Sequence, residues 1–309
     1  MQFIRPDINL DFVGKRKITL LLSLVLIVVG MAFLLVRGPN YGIDFAGGTL
    51  IQIQFTEATT AAEIKDALEP LALANIVVQQ FGDAPREFLL RAQEASLGLQ
   101  GMSQKVQAAL ETAYGEGKVE IRRSEMVGPQ AGKDLRQKGL LAVIYAMIGI
   151  LIYVTWRFEF RFAVGSIIAI LHDVLITLGA FALTNREIDL PIIAAFLAII
   201  GYSLNDTIII YDRIRENLGK MSQHSFSAIV NRSINETLSR TILTSGTTLL
   251  VVFALFIFGG GVIHNFAFAL LVGIVVGTYS SIFIASPVLL FWETHKSKKE
   301  TVPTKGVTS

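Results

Sequence analysis

The chain has 309 residues, of which 52% are hydrophobic and only 17% are charged, against about 25% in ordinary soluble domains. Its formal net charge of +2 gives no overall basic field, so nucleic acid is not a predicted partner. The absence of cysteine excludes disulfides, thiolate catalysis and cysteine-based metal sites, and no other motif predicts a metal or a cofactor.

Six apolar blocks are each long enough to cross a membrane, which takes about 20 residues of α-helix. The predicted spans are residues 18–36, 139–156, 162–183, 190–211, 240–258 and 264–292. The first block is too long for a signal-peptide core and lacks a small-residue cleavage pattern, so we predict that it is retained. The chain is therefore predicted to be an α-helical polytopic membrane protein with tails at 1–17 and 293–309 and a soluble region at 37–137.

The basic residues indicate how the chain is oriented. Lysines and arginines concentrate in both tails, the second-to-third loop and the fourth-to-fifth segment, whereas Arg186 alone occupies the opposite short loops. Basic loops stay on the cytoplasmic side, so both termini are predicted to be cytoplasmic. The soluble region is then predicted to be periplasmic, and the membrane to be the bacterial inner membrane.

The soluble region reads as a compact α/β domain between the first and second helices. Alternating or β-rich segments predict strands, and two amphipathic segments predict helices, the first with Thr60 as its cap and Glu63 three residues later. The predicted elements are Thr49–Phe55, Thr60–Leu71, Asn75–Phe81, Arg86–Arg91, Ser103–Tyr114 and Lys118–Met126. Their β-α-β-β-α-β order is that of the ferredoxin-like fold.

Asp173 lies near the middle of the third span, where an ionisable group costs about 2.5–3.5 kcal/mol on insertion scales. It is interpreted as a proton-titrating carboxylate, with a buried polar pin between helices as the alternative. The neighbouring His172 should point about 100° away on a helix, so the two are not expected to share one face fully. His172 is either a packing residue or a member of a proton relay.

Asp206, with Asn205 beside it, is the second candidate site. It lies near the end of the fourth span, about 8 Å of helical rise from the predicted cytoplasmic end. The functional interpretation is a carboxylate that gains and loses a proton. The alternative is a near-interface carboxylate that is hydrated from the cytoplasm.

Arg240 opens the fifth span, and polar residues follow it into the membrane. Thr244 and Thr248 are spaced to form a stripe on one helix face, flanked by Thr241 and Ser245. An arginine at the mouth of this stripe could pair with ionised Asp206, while burial opposes ionisation. The alternative is an arginine that only extends to the membrane surface.

Enzymatic interpretations fail on missing motif members. The Gly128-Pro-Gln-Ala-Gly132-Lys133 segment has too few residues between its glycines for a phosphate loop, and Asp134 stands where serine or threonine is needed. The chain also lacks His-Glu-x-x-His and Gly-x-Ser-x-Gly, and no Gly-x-Gly-Asp accompanies its intramembrane aspartates. We therefore predict that it is not an enzyme.

Several ordered motifs resemble the SecF family of bacterial protein-export membrane proteins, within the resistance-nodulation-division superfamily. They are Tyr41-Gly-Ile-Asp-Phe-Ala-Gly-Gly-Thr49, Gly128-Pro-Gln-Ala-Gly-Lys-Asp-Leu135, Leu171-His-Asp-Val174, Asn205-Asp-Thr207, Asp212-Arg-Ile-Arg-Glu-Asn217 and Arg240-Thr-Ile-Leu-Thr-Ser-Gly-Thr-Thr248. The resemblance implies export driven by the proton motive force after the ATP-dependent step, and a periplasmic domain that moves. It also implies that Asp206, Arg240 and, less directly, Asp173 take part in proton transfer.

The resemblance further implies the partners. Transporters of the superfamily use two six-helix halves, and this chain is one half, so SecD is expected beside it. The SecYEG translocon, with YajC and YidC, an unfolded preprotein and the lipid bilayer complete the expected set. The coupling ion, H⁺ or Na⁺, is left open. Two alternatives also stay open, namely a half-transporter for a small molecule or lipid and a structural subunit whose buried charges only join helices.

Overall fold

The protein is described here as a computed structural model over residues 9–71, 73, 76–81, 85–92, 98–221, 223–259 and 261–300. Parts of the predictions fall outside these residues, namely the two chain ends, Asn75 and the turn at 82–84. Helix α1 spans Arg16–Arg37 and is followed by a single-turn helix α2 at Ile43–Ala46. The soluble domain comes next, and the rest of the described chain forms long helices.

The soluble domain has the predicted ferredoxin-like fold. Its elements are β1 (Gly48–Phe55), α3 (Ala61–Leu68), β2 (Val77–Gln80), β3 (Glu87–Ala92), α4 (Gly98–Tyr114) and β4 (Val119–Val127). The sheet order is β2-β3-β1-β4 with every neighbouring pair antiparallel. Alternate residues of β1 and β3 are buried with α3 and α4 in one apolar core, as a half-buried strand requires.

The capping box predicted for the first domain helix is present, since Thr60 and Glu63 exchange hydrogen bonds. The helix ends earlier than predicted, at Leu68, and continues as a 3-10 turn over Glu69–Leu71. Pro70 has no N–H to donate to the preceding turn, which accounts for the change. The second domain helix starts five residues before its predicted first residue, Ser103.

Five further helices follow the domain. They are α5 (Pro129–Arg157), α6 (Phe160–Thr184), α7 (Leu190–Lys220), α8 (Phe226–Phe258) and α9 (Gly261–Ser280), and α9 continues through a π-helical turn at Ser281–Ala285 into α10 (Ser286–Glu300). Together with α1 they provide, within the described residues, six helices that are long and apolar enough to cross a membrane. We call the end of the bundle nearest the soluble domain the domain side and the other end the tail side.

The helices extend well beyond the predicted spans. Helix α5 begins at Pro129, so the Gly128-Pro-Gln-Ala-Gly segment is a helix start and not a loop that holds phosphate. Helix α8 begins at Phe226, well before the predicted span. Its first turns are polar and extend beyond the apolar part on the tail side. The segment after Trp292, expected to lack structure, remains helical to Glu300.

Two of the glycine-rich motifs meet where the domain joins the bundle. Gly47 has φ +76°, a conformation that favours glycine, and an added Cβ atom would lie 2.9 Å from the Cα of Pro129. A Cβ atom on Gly132 would lie 3.0 Å from the carbonyl oxygen of Phe45. The motifs therefore let α2 and the start of α5 approach each other, which fixes how β1 leaves the membrane region.

A second junction joins β3 to the connection between α6 and α7. Arg91 and Glu187 form a two-pronged ion pair whose side chains are 16% and 15% exposed. Beside it, the Gly42 N–H donates to the Ile188 carbonyl at 2.9 Å. Burial, together with the charges of nearby acidic groups, raises the pKa of Asp189 to about 6. The domain is thus held to the bundle by charge as well as by its two covalent connections.

We expect either single charge reversal, Arg91→Glu or Glu187→Arg, to loosen this junction, and the double swap to restore it. The coupling free energy should be about 1–2 kcal/mol, because a partly buried two-pronged pair exceeds an exposed one. Thermal unfolding and amide exchange at residues 40–44 measure it. The exposed pair Arg123 and Glu125 on β4 is the matched control, with an expected coupling near zero. Additive single and double effects at Arg91 and Glu187 would refute the predicted coupling.

Candidate functional site

Two carboxylates are buried within the helix bundle, and both were predicted from the sequence. Asp173 on α6 and Asp206 on α7 are each only 1% exposed. Helix α7 lies between α6 and α8 and also packs against α9. The two sites are therefore built from one set of four helices, with α7 and α9 contributing to both.

The Asp173 carboxylate accepts hydrogen bonds from three side chains. Ser203 of α7 donates to Oδ2 at 2.6 Å, and Ser280 of α9 donates to the same oxygen at 2.8 Å. His172 Nδ1 lies 2.9 Å from Oδ1. The residue thus joins three helices, and every one of its oxygen atoms has a partner.

The position of His172 corrects the expectation that it would point away from Asp173. Neighbouring helix residues do not normally face each other, yet these two side chains are in contact. The reason is that α6 is enclosed on more than one side, by α1, α7 and α9, so its buried arc is wide enough for both. The His172 ring stacks on Tyr279 with centroids 6.1 Å apart, and its Nε2 atom is buried without a hydrogen-bond partner among the described residues.

Close packing of α9 on α7 positions the two serines around Asp173. A Cβ atom added to Gly277 would lie 3.0 Å from the Cβ of Ser203, and one added to Gly273 would clash with Ile199. The small residues of α9 therefore permit the approach that their spacing suggests. Ser280 is followed at once by the π-helical turn, a departure from α geometry that is frequent at functional sites.

Asp206 has fewer partners than Asp173. Its Oδ2 atom accepts from Ser245 of α8 at a long 3.4 Å, and Ser245 also lies 2.8 Å from the hydroxyl of Thr278 on α9. The Oδ1 atom is buried and has no partner among the described residues. A buried carboxylate whose hydrogen bonds are incomplete among the described residues is costly, which is unlike a residue that only joins helices.

Arg240 lies on the same side of the bundle as Asp206 but does not contact it. Among the described residues no ion pair or hydrogen bond joins the Arg240 guanidinium to the Asp206 carboxylate, whose Oδ2 is partnered by Ser245 and whose Oδ1 has no partner. Arg240 lines a cavity of about 480 Å³ on the tail side together with Arg157, Asp212 and Glu236. Direct pairing of Arg240 with Asp206 therefore stays a prediction about another state of the protein.

The polar residues after Arg240 differ in burial from what the predicted stripe suggests. Thr241 and Ser245, expected to flank the stripe, are the buried pair. Thr244 and Thr248, expected to form it, are half-buried and donate to carbonyls of their own helix. Asn205 is exposed on the outer face of α7, so it does not support Asp206 within this chain.

Sequence reasoning missed three hydroxyls that complete the two sites, namely Ser203, Thr278 and Ser280. Ser203 precedes Asp206 by three residues, a spacing that places both on one helix face. Thr278 and Ser280 belong to a short polar run inside the sixth apolar block. Both signals were present, but only the tertiary structure shows which carboxylate each hydroxyl serves.

The arrangement can hold protons but is not built like a metal centre. Hydroxyls both donate and accept hydrogen bonds, so they can link carboxylates that change protonation. Among the described residues, no group of three or more histidine, aspartate or glutamate side chains could hold a metal ion.

Comparison with known families gives two matches that together cover most of the chain. Residues 105–295 match the C-terminal region of the protein export membrane proteins SecD and SecF, and residues 32–59 match the SecD/SecF GG motif. The second match contains Gly47 of the α2–α5 junction, and the first contains Gly132.

Individual relatives agree with the family matches. The chain is 47% identical over 307 residues to the protein translocase subunit SecF of Magnetococcus marinus, covering 98% of each chain. It is 43% identical over 290 residues to that of Vibrio alginolyticus, covering 94% of this chain and 91% of the relative. The crystal structure of SecDF from Thermus thermophilus, a translocon-associated membrane protein, superposes with a TM-score of 0.84 at 37% identity. The superposition covers 94% of this chain and 40% of the longer SecDF chain.

Proposed function

Because this chain belongs to the SecD/SecF family and is an auxiliary subunit of the Sec protein translocase, we propose that it uses the proton motive force to promote preprotein translocation and release. The observation that supports this most directly is Asp206, a carboxylate buried in the membrane bundle, one of whose oxygen atoms has no partner among the described residues. Such a group changes its interactions with the bundle when it gains or loses a proton, so a gradient can drive a conformational change through it.

The chain works with SecD, as the match to 40% of the longer SecDF chain indicates. In the proposed assembly, SecD supplies the second six-helix half, and the pair engages SecYEG, with YajC and YidC as further candidates. Both termini lie on the cytoplasmic side of the bacterial inner membrane, and the region 37–137 faces the periplasm. This orientation follows from the basic tails and loops and puts the soluble domain where an emerging preprotein arrives.

Asp206 and Arg240 are the proposed proton-transfer residues, and Asp173 is a second member of the relay. Arg240 on α8 and Asp206 on α7 are separated and form no direct ion pair among the described residues. Movement of α8 relative to α7 would shorten or lengthen that separation and so favour release or uptake of the proton.

The function is tested by depleting the protein and measuring export of a secreted precursor at constant ATP, with the gradient intact or collapsed. The proposal predicts that the protein accelerates export only when the gradient is present. Replacing Na⁺ by K⁺ at a fixed proton gradient distinguishes the coupling ion. Equal acceleration with and without any ion gradient would contradict the proposal and would favour a structural subunit.

We expect Arg240→Lys to lower gradient-dependent export several-fold while the protein still folds and binds SecD. Lysine keeps the charge but is a compact point charge and lacks the planar fork with which arginine engages a carboxylate. Arg232→Lys on the same helix is the matched control, because Arg232 is exposed and paired with Glu236. Export by the Arg240→Lys variant at the level of the control would argue against a paired role.

A further inference from the structure

The residues before α1 were expected to be a tail, but residues 9–13 lie against the tail-side part of α8. We call residues 9–13 the strap. Asn231 accepts from the backbone N–H groups of Phe12 at 2.9 Å and Val13 at 3.2 Å. Asn235 accepts from the Leu10 N–H at 2.8 Å, and both asparagines donate to the Leu10 carbonyl.

These contacts form a clamp for an extended backbone. Asn231 and Asn235 are one helical turn apart, so their amides lie on the same face of α8. An amide side chain carries both a donor and an acceptor, which matches the alternating groups of a peptide backbone. Val13 is only 5% exposed in the core of the bundle, so the strap is anchored at its end by burial as well.

A continuous series of ring contacts runs from the strap to the buried Asp173. Phe12 lies 5.8 Å from Phe283 in the π-helical turn, and Phe283 lies 5.0 Å from Tyr279, measured between ring centroids. Tyr279 stacks on His172, which is hydrogen-bonded to Asp173.

The same Tyr279 is held in place by α1. Its hydroxyl donates to the Thr19 carbonyl at 2.7 Å and accepts from Ser23 at 3.1 Å. The strap therefore contacts Phe283, and α1 holds Tyr279, the next ring of this series. A shift of the strap would be passed to the π-helical turn, whose first neighbour, Ser280, donates to Asp173.

We propose that Asn231 and Asn235 are positioning residues, which seat the strap and thereby couple α8 to the Asp173 site. Helix α8 also carries Ser245, the partner of Asp206. The strap thus ties the helix of one carboxylate site to the π-helical turn beside the other, and the two move together. The structural part of this inference is independent of transport, and its effect on export rests on the proposed function.

The test compares the Asn231→Ala, Asn235→Ala double variant with the unaltered protein in complex with SecD. Amide hydrogen exchange should become at least about tenfold faster at residues 10–13 and also in the segment 277–285. Gradient-dependent export should fall with it. Gln223→Ala, an exposed amide in the connection between α7 and α8, is the matched control and should change neither segment.

A second variant distinguishes coupling between the strap and the segment 277–285 from a general loss of stability. Because the chain has no cysteine, Leu10→Cys with Asn235→Cys, made in an Asn231→Ala background, provides one reversible link between the strap and α8. The oxidised form should keep both segments protected and keep export, and the reduced form should behave like the double alanine variant.

Each possible outcome overturns a different part of the proposal. Faster exchange at the strap alone, with 277–285 unchanged, would refute the coupling. Unchanged exchange at the strap would refute the clamp. If both segments loosen and relock as expected while export never depends on the gradient, the proposed function fails and the coupling stands.

Discussion

Replacing Asp206 by asparagine is expected to abolish the gradient-dependent part of preprotein export and to leave the complex with SecD folded. Asparagine has nearly the same shape and can still accept the hydrogen bond from Ser245, but it cannot take up or release a proton. The loss should be close to complete, because no other described carboxylate contacts Ser245. Proton flux and precursor export in reconstituted vesicles measure it at constant ATP.

Asp212→Asn is the matched control for this change. Asp212 lies on the same helix six residues later, but its side chain is 63% exposed and only loosely paired with Arg157 at 3.9 Å. A carboxylate in that position is hydrated and does not need the bundle to change shape when it titrates. Equal proton flux and export for both variants and the unaltered protein would remove Asp206 from the mechanism.

Replacing Asp173 is expected to have the larger effect on folding. Asp173→Ala leaves Ser203 and His172 without the carboxylate that they contact, while Ser280 can still donate to the Gly277 carbonyl. Each buried polar group that loses its partner costs about 1–3 kcal/mol in soluble proteins, and somewhat less where helices find other partners in a membrane. We expect a loss of at least about 2 kcal/mol, measured by unfolding of the purified protein in detergent.

Asp173→Asn distinguishes a relay member from a polar pin. Its amide oxygen can still accept from the two serines, so this variant should remain folded, yet it should lose gradient-dependent export because it cannot titrate. Thr177→Ala is the matched control, since Thr177 is fully buried on the same helix and donates only to the carbonyl of Asp173. Normal export by a stable Asp173→Asn protein would leave Asp173 with a packing role alone.

Much of the fold was predictable because its signals are local. The six membrane helices follow from long apolar blocks, and the ferredoxin-like domain follows from alternating strands in a fixed order. Where boundaries were misjudged, the cause was also local. The polar first turns of α8 carry no hydrophobic signal, and Pro70 changes the last turn of α3 only by removing one donor.

The candidate carboxylates were also predictable, because an acidic residue in an apolar block is conspicuous whatever surrounds it. Their partners were not. Ser203 is 30 residues from Asp173 and Ser280 is 107 residues away, and the sequence gives no reason to assign either to that carboxylate. The stripe at Thr244 and Thr248 shows the same limit, since helical spacing shows which residues share a face but not which face meets α7, and the buried residues are Thr241 and Ser245.

The sequence by itself determined which segments cross the membrane, how the soluble domain is built and which charged groups are buried at an energetic cost. The tertiary structure alone decided that His172 contacts Asp173, that one oxygen atom of Asp206 has no partner in the part of the chain that the structure describes, and that the strap is clamped to α8. The physical reason is that hydropathy and helical periodicity act over a few residues. Hydrogen bonds inside a bundle instead depend on how helices distant in the sequence rotate and pack against one another.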